Sequence, residues 1–319
     1  MEELKYQNRR SFFKKMFYGS VATLFLNSFS FLPKKKKQST IKLTILHTND
    51  MHSHIDPFDS NDKNYPNQGG MIKIAELIKT IRKQEENVLL LDAGDIFQGT
   101  PYFNYFKGEV EFKLMSIMQY DASTMGNHDF DNGLKGFKNM LPHANFPFIC
   151  SNYNFDNTIL KNKTHKFKII QKGGLKIGLL GLGIKLEGLV PKELYGATEY
   201  LDPYSTANHY ADLLKNKHKC DLVICLSHLG YNYNEKNKPS DINLSKKTSN
   251  IDVIIGGHTH TFLNEATIKK NAIDKKIVIN QAGWGALNLG RIDFYFSKKK
   301  SQQIDLDAHT FCTKNYAKI

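Results

Sequence analysis

Short apolar runs alternate along the chain with longer stretches in which apolar residues recur at helical spacing. Residues 88–91 are apolar at every position, as expected of a strand that is buried on both faces. Across residues 70–86 the apolar positions instead recur every three or four residues, which predicts an amphipathic helix. This alternation predicts an α/β architecture in which helices pack outside the sheets. Residues 41–310 are expected to form one domain.

The same patterns predict the remaining elements. The other predicted strands cover residues 41–46, 122–125, 146–150, 166–171, 175–182, 221–227, 251–255, 276–280 and 290–296. The other predicted helices cover residues 109–119, 132–141, 205–218 and 241–248. Residues 53–68 are polar and include Pro57 and Pro66, so they are expected to form a surface loop.

Charge is distributed unevenly along the 319 residues. The chain has 44 Lys plus Arg against 31 Asp plus Glu, a net charge of +13 that by itself suggests a polyanionic partner. Residues 1–40, however, hold nine basic and two acidic residues, which leaves +7 there and only +6 elsewhere. The chain also has no nucleic-acid recognition motif and no Arg-rich face, so no nucleic-acid partner is predicted.

The first 40 residues have the pattern of an export signal followed by a basic linker. A basic stretch precedes an apolar run over residues 16–32, and four consecutive lysines follow. The apolar run is shorter than the roughly 20 residues of a spanning helix, so no stable membrane span is expected. Residues 8–14, with the pair Arg9 and Arg10, resemble a bacterial twin-arginine signal. We expect an exported, periplasmic protein; an uncleaved leader that keeps it at the membrane is the alternative.

Side chains that can bind metal ions are concentrated in five short motifs, each after a predicted strand. These candidate ligands are Asp50, His52, Asp95, Asn127, His228, His258 and His260. Imidazole and carboxylate ligands suit Zn, Mn, Fe or Co better than Ca or Mg, which prefer oxygen ligands alone. Seven ligands are too many for one tetrahedral ion but fit two ions that share a carboxylate. The sequence therefore predicts a site for two divalent metal ions of uncertain identity.

The ordered motif set resembles the calcineurin-like metallophosphoesterase superfamily. The residues around the motifs resemble the 5′-nucleotidase family in particular, in HTNDMH at 47–52, GNHDFD at 126–131 and NQAGW at 280–284. The resemblance extends from about residue 41 to residue 296 and covers the N-terminal catalytic domain of that family. It implies a four-layer α-β-β-α sandwich, in which two packed mixed β-sheets are flanked by helices.

The resemblance also implies a role for each motif residue. The ligands of one metal ion would be Asp50, His52 and His260. Those of the other would be Asn127, His228 and His258. Asp95 would bridge the two ions. His128 would contact the phosphate or the leaving group, with its ring oriented by Asp131, so Asn127 and His128 are also candidates for substrate binding.

Residues beside the motifs are expected to support them. Asp129 is expected to cap the helix over residues 132–141 rather than to act on substrate. Three others are candidates for hydrogen-bond partners of the metal ligands: His47, Asn49 and Asp92. Trp284 is expected to turn the chain near the site rather than to contact substrate.

The leading functional hypothesis is an exported phosphoesterase that hydrolyses phosphomonoesters, above all nucleotides. Phosphate monoesters hydrolyse extremely slowly unaided, so the enzyme must accelerate the reaction greatly. In-line attack by a hydroxide that bridges two metal ions can supply such an acceleration. The alternatives are a 2′,3′-cyclic nucleotide phosphodiesterase, a broad phosphodiesterase, a thiosulfate-handling hydrolase and a non-catalytic binding subunit.

Members of the 5′-nucleotidase family, which this chain resembles, continue into a second domain. That domain stacks aromatic residues on the nucleoside base and binds the nucleoside with arginines. The printed chain ends at Ile319, and residues 311–319 are expected to be a tail, so this C-terminal substrate domain is expected to be absent. The catalytic domain is then expected either to act broadly on its own or to work with a separately encoded protein that supplies the missing half.

Overall fold

The computed structural model of the protein describes residues 40–297 and 302–312. The predicted export signal and linker over residues 1–40 lie outside these residues except for Thr40, as does most of the predicted tail over residues 311–319. No helix in the described part of the chain combines the length and the apolar composition that a membrane crossing requires.

The described residues form thirteen strands and seven α-helices. The strands are β1 (Thr40–Thr48), β2 (Val88–Asp92), β3 (Ala122–Ser123), β4 (Tyr153–Asn154), β5 (Phe167–Lys172), β6 (Leu175–Gly183), β7 (Glu199–Tyr200), β8 (Leu222–His228), β9 (Val253–Gly256), β10 (Thr267–Lys270), β11 (Lys276–Asn280), β12 (Asn288–Ser297) and β13 (Gln302–Cys312). The helices are α1 (Met71–Gln84), α2 (Pro101–Phe106), α3 (Glu109–Ile117), α4 (Gly133–Met140), α5 (Lys192–Tyr195), α6 (Pro203–Asp212) and α7 (Asp241–Lys247).

Two mixed sheets form the centre of the fold. The five-stranded sheet has the order β13-β12-β1-β2-β3, and the six-stranded sheet has the order β10-β11-β9-β8-β6-β5. Strands β1, β2 and β3 are parallel, as are β6, β8, β9 and β11. Antiparallel strands extend both sheets at their edges. Within each sheet, the carboxyl ends of the parallel strands therefore lie along one edge.

Side-chain alternation along the strands produces the layers. On β8, Leu222, Ile224 and Leu226 pack between the two sheets, whereas Val223 and Cys225 face the opposite way. That outer face packs against α6 and α7. The outer face of the five-stranded sheet packs against α1, α3 and α4. Both faces of each central strand are thus buried, which explains the continuous apolar runs and confirms the predicted α-β-β-α sandwich.

Most predicted elements are present, and the exceptions have physical reasons. Residues 146–150, predicted as a strand, form no regular strand in the described structure; Phe148 and Ile149 make only isolated bridges. Pro147 lacks an N–H, and the neighbouring β3 ends at Ser123, so a continuous ladder cannot form. The sequence patterns missed α2, whose aromatic residues favour strands, and the polar edge strands β10 and β13.

Candidate active site

All five motifs follow or end parallel strands. Asp50 lies two residues after β1, Asp95 three residues after β2 and Asn127 four residues after β3. His228 is the last residue of β8, and His258 lies two residues after β9. Because the carboxyl ends of parallel strands share an edge and the two sheets are packed together, these loops from both sheets meet in one place.

Two groups of candidate ligands lie side by side in this place. The first consists of Asp50, His52 and His260, and the second of Asp95, His228 and His258. Within each group, the atoms that could bind a metal ion lie within 4.8 Å of one another. In the first group, Nε2 of His260 lies 3.5 Å from Oδ1 of Asp50. In the second, Nε2 of His228 lies 3.0 Å from Oδ2 of Asp95.

The two groups are in contact with each other. His228 Nε2 lies 3.9 Å from Asp50 Oδ1, and His52 Nε2 lies 3.9 Å from Asp95 Oδ2. Asn127, the seventh candidate ligand, places its Oδ1 2.8 Å from Nδ1 of His258. The structure thus brings all seven predicted ligands together, and Asp95 lies close to a histidine of each group.

The histidine orientations fit a metal site. His52 Nδ1 lies 3.2 Å from the carbonyl oxygen of Phe97, and His228 Nδ1 lies 2.7 Å from that of Ala93. A carbonyl only accepts hydrogen bonds, so in the neutral ring Nδ1 carries the proton and Nε2 keeps its lone pair. The Nε2 atoms of His52 and His260 then face each other at 3.0 Å. Converging nitrogen lone pairs and buried carboxylates form a donor set that suits divalent cations.

The backbone of the site is unusual for its residue types. Five of the seven candidate ligands have positive φ, and these are Asp50 (49°), His52 (47°), Asp95 (55°), His258 (73°) and His260 (51°). Such a conformation costs about 1–3 kcal/mol per non-glycine residue and persists only where surrounding contacts impose it. Hydrogen bonds between the loops impose it here, from Asp50 N to Gly94 O and from His52 N to Asp95 O. Strain of this kind is typical of functional sites.

Burial and charge act in opposite directions at the centre of the site. Burial lowers the pKa of His228, but the charges of Asp95 and Asp50 and the hydrogen bonds to Asp95 and Ala93 raise it to about 10. In turn, although burial raises the pKa of Asp95, the charge of His228 holds it well below its usual range. The carboxylate of Asp95 therefore stays ionised and requires a cation beside it. That cation is either the protonated ring of His228 or a metal ion.

His128 lies beside the ligands and is partly exposed to solvent. Its Nδ1 lies 2.8 Å from Oδ2 of Asp131, and its ring centroid lies 5.3 Å from that of His52. Its backbone N–H donates to Oδ1 of Asp95 at 2.8 Å. The hydrogen bond to Asp131 raises the pKa of His128, and burial opposes this shift. Asp131, which the resemblance implies as the partner of this ring, thus lies in contact with His128.

Asp129 does not cap a helix, and that prediction is wrong. Its Oδ2 accepts hydrogen bonds from the backbone N–H groups of Gly126 and Asp95, and its Oδ1 accepts from those of Ile96 and Phe97. The side chain therefore ties the loop after β2 to the loop after β3. Sequence spacing gives no signal for such a contact, because the bonded loops are more than 30 residues apart.

Of the predicted hydrogen-bond partners Asp92 and Asn49, only Asn49 contacts a candidate ligand. Asp92 accepts from Thr48 Oγ1, Gly94 N and Ser123 Oγ, so it does not orient a histidine, contrary to prediction. Asn49 does contact a ligand, since its Nδ2 donates to Asp50 Oδ2 at 2.6 Å.

His47 is not a partner of any ligand. Its ring is fully buried and has no hydrogen-bond partner among the described residues. A Cβ at Gly290 would lie 2.0 Å from its Nε2, so the ring fills the space that this glycine leaves open. Burial lowers the pKa of His47 to about 3, and the ring is therefore neutral. Its role is to pack the core between β1 and β12.

Gln281 is a supporting residue that the sequence analysis missed. Its Nε2 donates to Oδ2 of the buried Asp241 and to the carbonyl oxygen of Gly257, and its Oε1 accepts from the N–H of Thr261. Asp241 also accepts from Oγ of Ser227, the neighbour of His228. This buried network fixes the loop that carries His258 and His260. The only signal in the sequence was the position of Gln281 within the segment 280–284.

Trp284 packs against the site rather than merely turning the chain. Its ring stacks on that of His260, with centroids 5.5 Å apart and planes inclined by 10°. The rings of His54 and Phe58 meet it edge-on, at 5.4 Å each. The predicted surface loop over residues 53–68 therefore reaches the site through its aromatic residues, and Trp284 holds His260 in place.

The sequence is similar to those of known phosphoesterases. The family model for calcineurin-like phosphoesterases matches residues 43–262. A 5′-nucleotidase from the venom of the snake Crotalus adamanteus is 36% identical over 231 residues, which are 70% of this chain and 38% of the relative. The trifunctional nucleotide phosphoesterase of Bacillus subtilis is 29% identical over 318 residues, or 87% of this chain and 20% of the relative.

Solved structures agree with these relatives. The crystal structure of a 5′-nucleotidase precursor from Thermus thermophilus superposes with a TM-score of 0.74 at 28% identity, over 85% of this chain and 54% of that one. The chain thus spans only 20% to 54% of the length of these three relatives.

The structural role of Asp129 can be tested by Asp129→Asn. One carboxylate oxygen is then replaced by an NH₂ group that faces backbone N–H donors, so the free energy of unfolding in urea should fall by about 2 kcal/mol. Asp156→Asn, at an exposed aspartate, is the matched control and should unfold like the wild type. Equal stability of both variants would show that the carboxylate does not hold the two loops together.

Proposed function

The chain belongs to the calcineurin-like phosphoesterase family, and we propose that it is a metal-dependent phosphoric ester hydrolase that releases phosphate from nucleotides. The observation that carries this proposal is the pair of adjacent ligand groups with the His128–Asp131 pair beside them. Five of the seven ligands are buried, whereas His258, His260 and the ring of His128 are partly exposed and accessible to a substrate that arrives from solvent.

We assign the metal ligands as the family resemblance implies. One divalent cation would be held by Asp50, His52 and His260. The other would be held by Asn127, His228 and His258, with Asp95 shared between the two. Bound cations supply positive charge that polarises a phosphoryl group and lowers the pKa of water. The protein contributes two carboxylates and otherwise neutral ligands, among them the amide of Asn127, so the occupied site keeps a net positive charge that attracts an anionic substrate.

His128 is assigned to the leaving group. Asp131 holds Nδ1 of the ring, which leaves Nε2 as the nitrogen that can donate a proton to the departing ester oxygen. The backbone hydrogen bond from His128 to Asp95 fixes the start of this segment against the candidate metal ligands. A donor that is held in place before the reaction stabilises the charge that develops on the oxygen.

Nucleotides are proposed as substrates because of the relatives. The venom and Thermus proteins are named 5′-nucleotidases, and the Bacillus relative is named a trifunctional nucleotide phosphoesterase. The last name gives a nucleotide phosphoesterase three functions, so cyclic nucleotide diesters, the alternative expected from the sequence, are tested as a second class of substrate. We also propose that the chain is exported, on the basis of Arg9, Arg10 and the apolar run that follows them.

The function can be tested by phosphate release. The metal-loaded protein is assayed with AMP, UMP, a sugar phosphate and 2′,3′-cyclic AMP, with and without chelator. We expect turnover of AMP that chelator abolishes. Asp95→Asn should lower kcat/KM at least about 100-fold, since even residues that only support metal ligands cost 10–100-fold. Asp274→Asn, at an exposed aspartate, should retain full activity. Turnover that withstands both chelator and Asp95→Asn would refute the assignment.

The role of His128 can be tested with two leaving groups. His128→Asn should lower kcat/KM for AMP by about 10²–10⁴-fold, the usual contribution of a general acid. With p-nitrophenyl phosphate the loss should be much smaller, because nitrophenolate departs without a proton. His209→Asn, at an exposed histidine of α6, serves as the control. Equal losses for the two substrates would contradict proton donation by His128.

A further inference from the structure

A cavity of about 370 Å³ opens beside His258. Apolar and aromatic side chains form much of its wall, contributed by Ile184, Leu189, Tyr200 and Pro239. Three charged side chains, Lys185, Glu187 and Lys238, also line it, and Lys185 forms a salt bridge with Glu187. Of the seven predicted ligands, all of which lie in the described part of the chain, His258 alone lines this space. The cavity therefore adjoins the candidate metal site without being part of it.

The topology explains this position. Ile184 and Leu189 lie in the segment that follows β6, and Pro239 lies in the loop between β8 and α7. Strands β6 and β8 are parallel neighbours, so both segments leave the sheet at the edge that carries the site. The larger cavity of about 510 Å³, in contrast, is lined by Asp252 and Lys276 at the amino ends of β9 and β11, on the opposite edge.

We propose that the cavity beside His258 binds the nucleoside half of a nucleotide substrate while the phosphate occupies the metal site. This inference rests on the proposed function and names the part of the protein that recognises the leaving group. Phosphate-ester hydrolysis itself needs charge and polar donors, so an apolar wall next to His258 serves the rest of the substrate. A volume of this size lies within the range of small-molecule sites.

The chemistry of the wall favours a nucleoside over other leaving groups. A bare sugar would need polar partners on most sides, whereas Leu189, Tyr200 and Pro239 offer an apolar and partly aromatic surface suited to a flat heterocycle. An alkyl chain would not use charged groups, whereas the ammonium group of Lys238 can donate to ring nitrogens, carbonyl oxygens or ribose hydroxyls, and the carboxylate of Glu187 can accept from amino or hydroxyl groups. Leu189 is 50% exposed, so a bound base would cover apolar surface that is now in contact with water.

The proposal is tested by Leu189→Ser, with Leu201→Ser as the matched control. Leu201 is 40% exposed and does not line the cavity. Both positions are on the surface, so both variants should fold. We expect Leu189→Ser to lower kcat/KM for AMP about tenfold, mainly through KM, because a lost apolar contact of this size changes discrimination by that order. The value for glycerol phosphate should stay unchanged, and Leu201→Ser should match the wild type with both substrates.

Other outcomes would overturn the proposal while leaving the enzyme assignment intact. Equal losses for AMP and glycerol phosphate would show a general effect on the site, and unchanged kinetics would show that the cavity does not bind the leaving group. A loss for p-nitrophenyl phosphate without a loss for AMP would show that the occupant is a simple aryl group rather than a nucleoside.

A binding measurement separates failure of this proposal from failure of the proposed function. Adenosine has no phosphate, so its binding can be followed in chelator-treated protein by NMR of the leucine methyl groups. Millimolar adenosine should shift the methyl signals of Leu189 and not those of Leu201. Such a shift in a protein that hydrolyses no phosphate ester would support the nucleoside-binding role of the cavity and refute the proposed hydrolase activity. The absence of any shift at Leu189 would refute the nucleoside site.

Discussion

The contact between Asp95 and His228 joins the two β-sheets at the edge where the candidate active site lies. Asp95 follows β2 of the five-stranded sheet, and His228 ends β8 of the six-stranded sheet. Both side chains are buried, and a buried carboxylate is tolerated only beside a cation and with its oxygens hydrogen-bonded. The surrounding loops meet this need. The backbone N–H of His128 donates a hydrogen bond to Asp95. Only a glycine fits at position 126, because a Cβ there would lie 2.1 Å from Oδ1 of Asp95.

The fold could largely be predicted from sequence because its central strands are buried on both faces. Runs such as residues 222–226 are apolar throughout, and their strong signal identified the sheets and the helices between them. The edge strands β10 and β13 are rich in polar residues and pair with one neighbouring strand each, so their sequences resemble loops. The strand predicted over residues 146–150 is wrong for the opposite reason. Their composition favours a strand, but Pro147 and the short β3 prevent a continuous ladder.

The candidate ligands could be named from sequence because each lies within a few residues of the end of an apolar run. Their grouping came from a family resemblance, and the structure places those same side chains within reach of one another. The residues that hold the site together had no such signal. Asp129 and Gln281 act through hydrogen bonds between loops that are far apart in sequence, and only the folded chain shows those partners. A polar residue after a strand is equally compatible with a cap, a turn or a support.

The central claim is that these loops assemble two adjacent sites for divalent ions. It is tested most directly by counting the ions bound to chelator-treated protein on titration with Zn²⁺ or Mn²⁺, followed by elemental analysis. The wild type should bind two ions per chain. His260→Ala, which removes a ligand from the first group alone, should keep one tightly bound ion. His209→Ala, outside both groups, should keep two. A wild-type protein that binds one ion or none would contradict the account, as would a His260→Ala variant that still binds two with unchanged affinity.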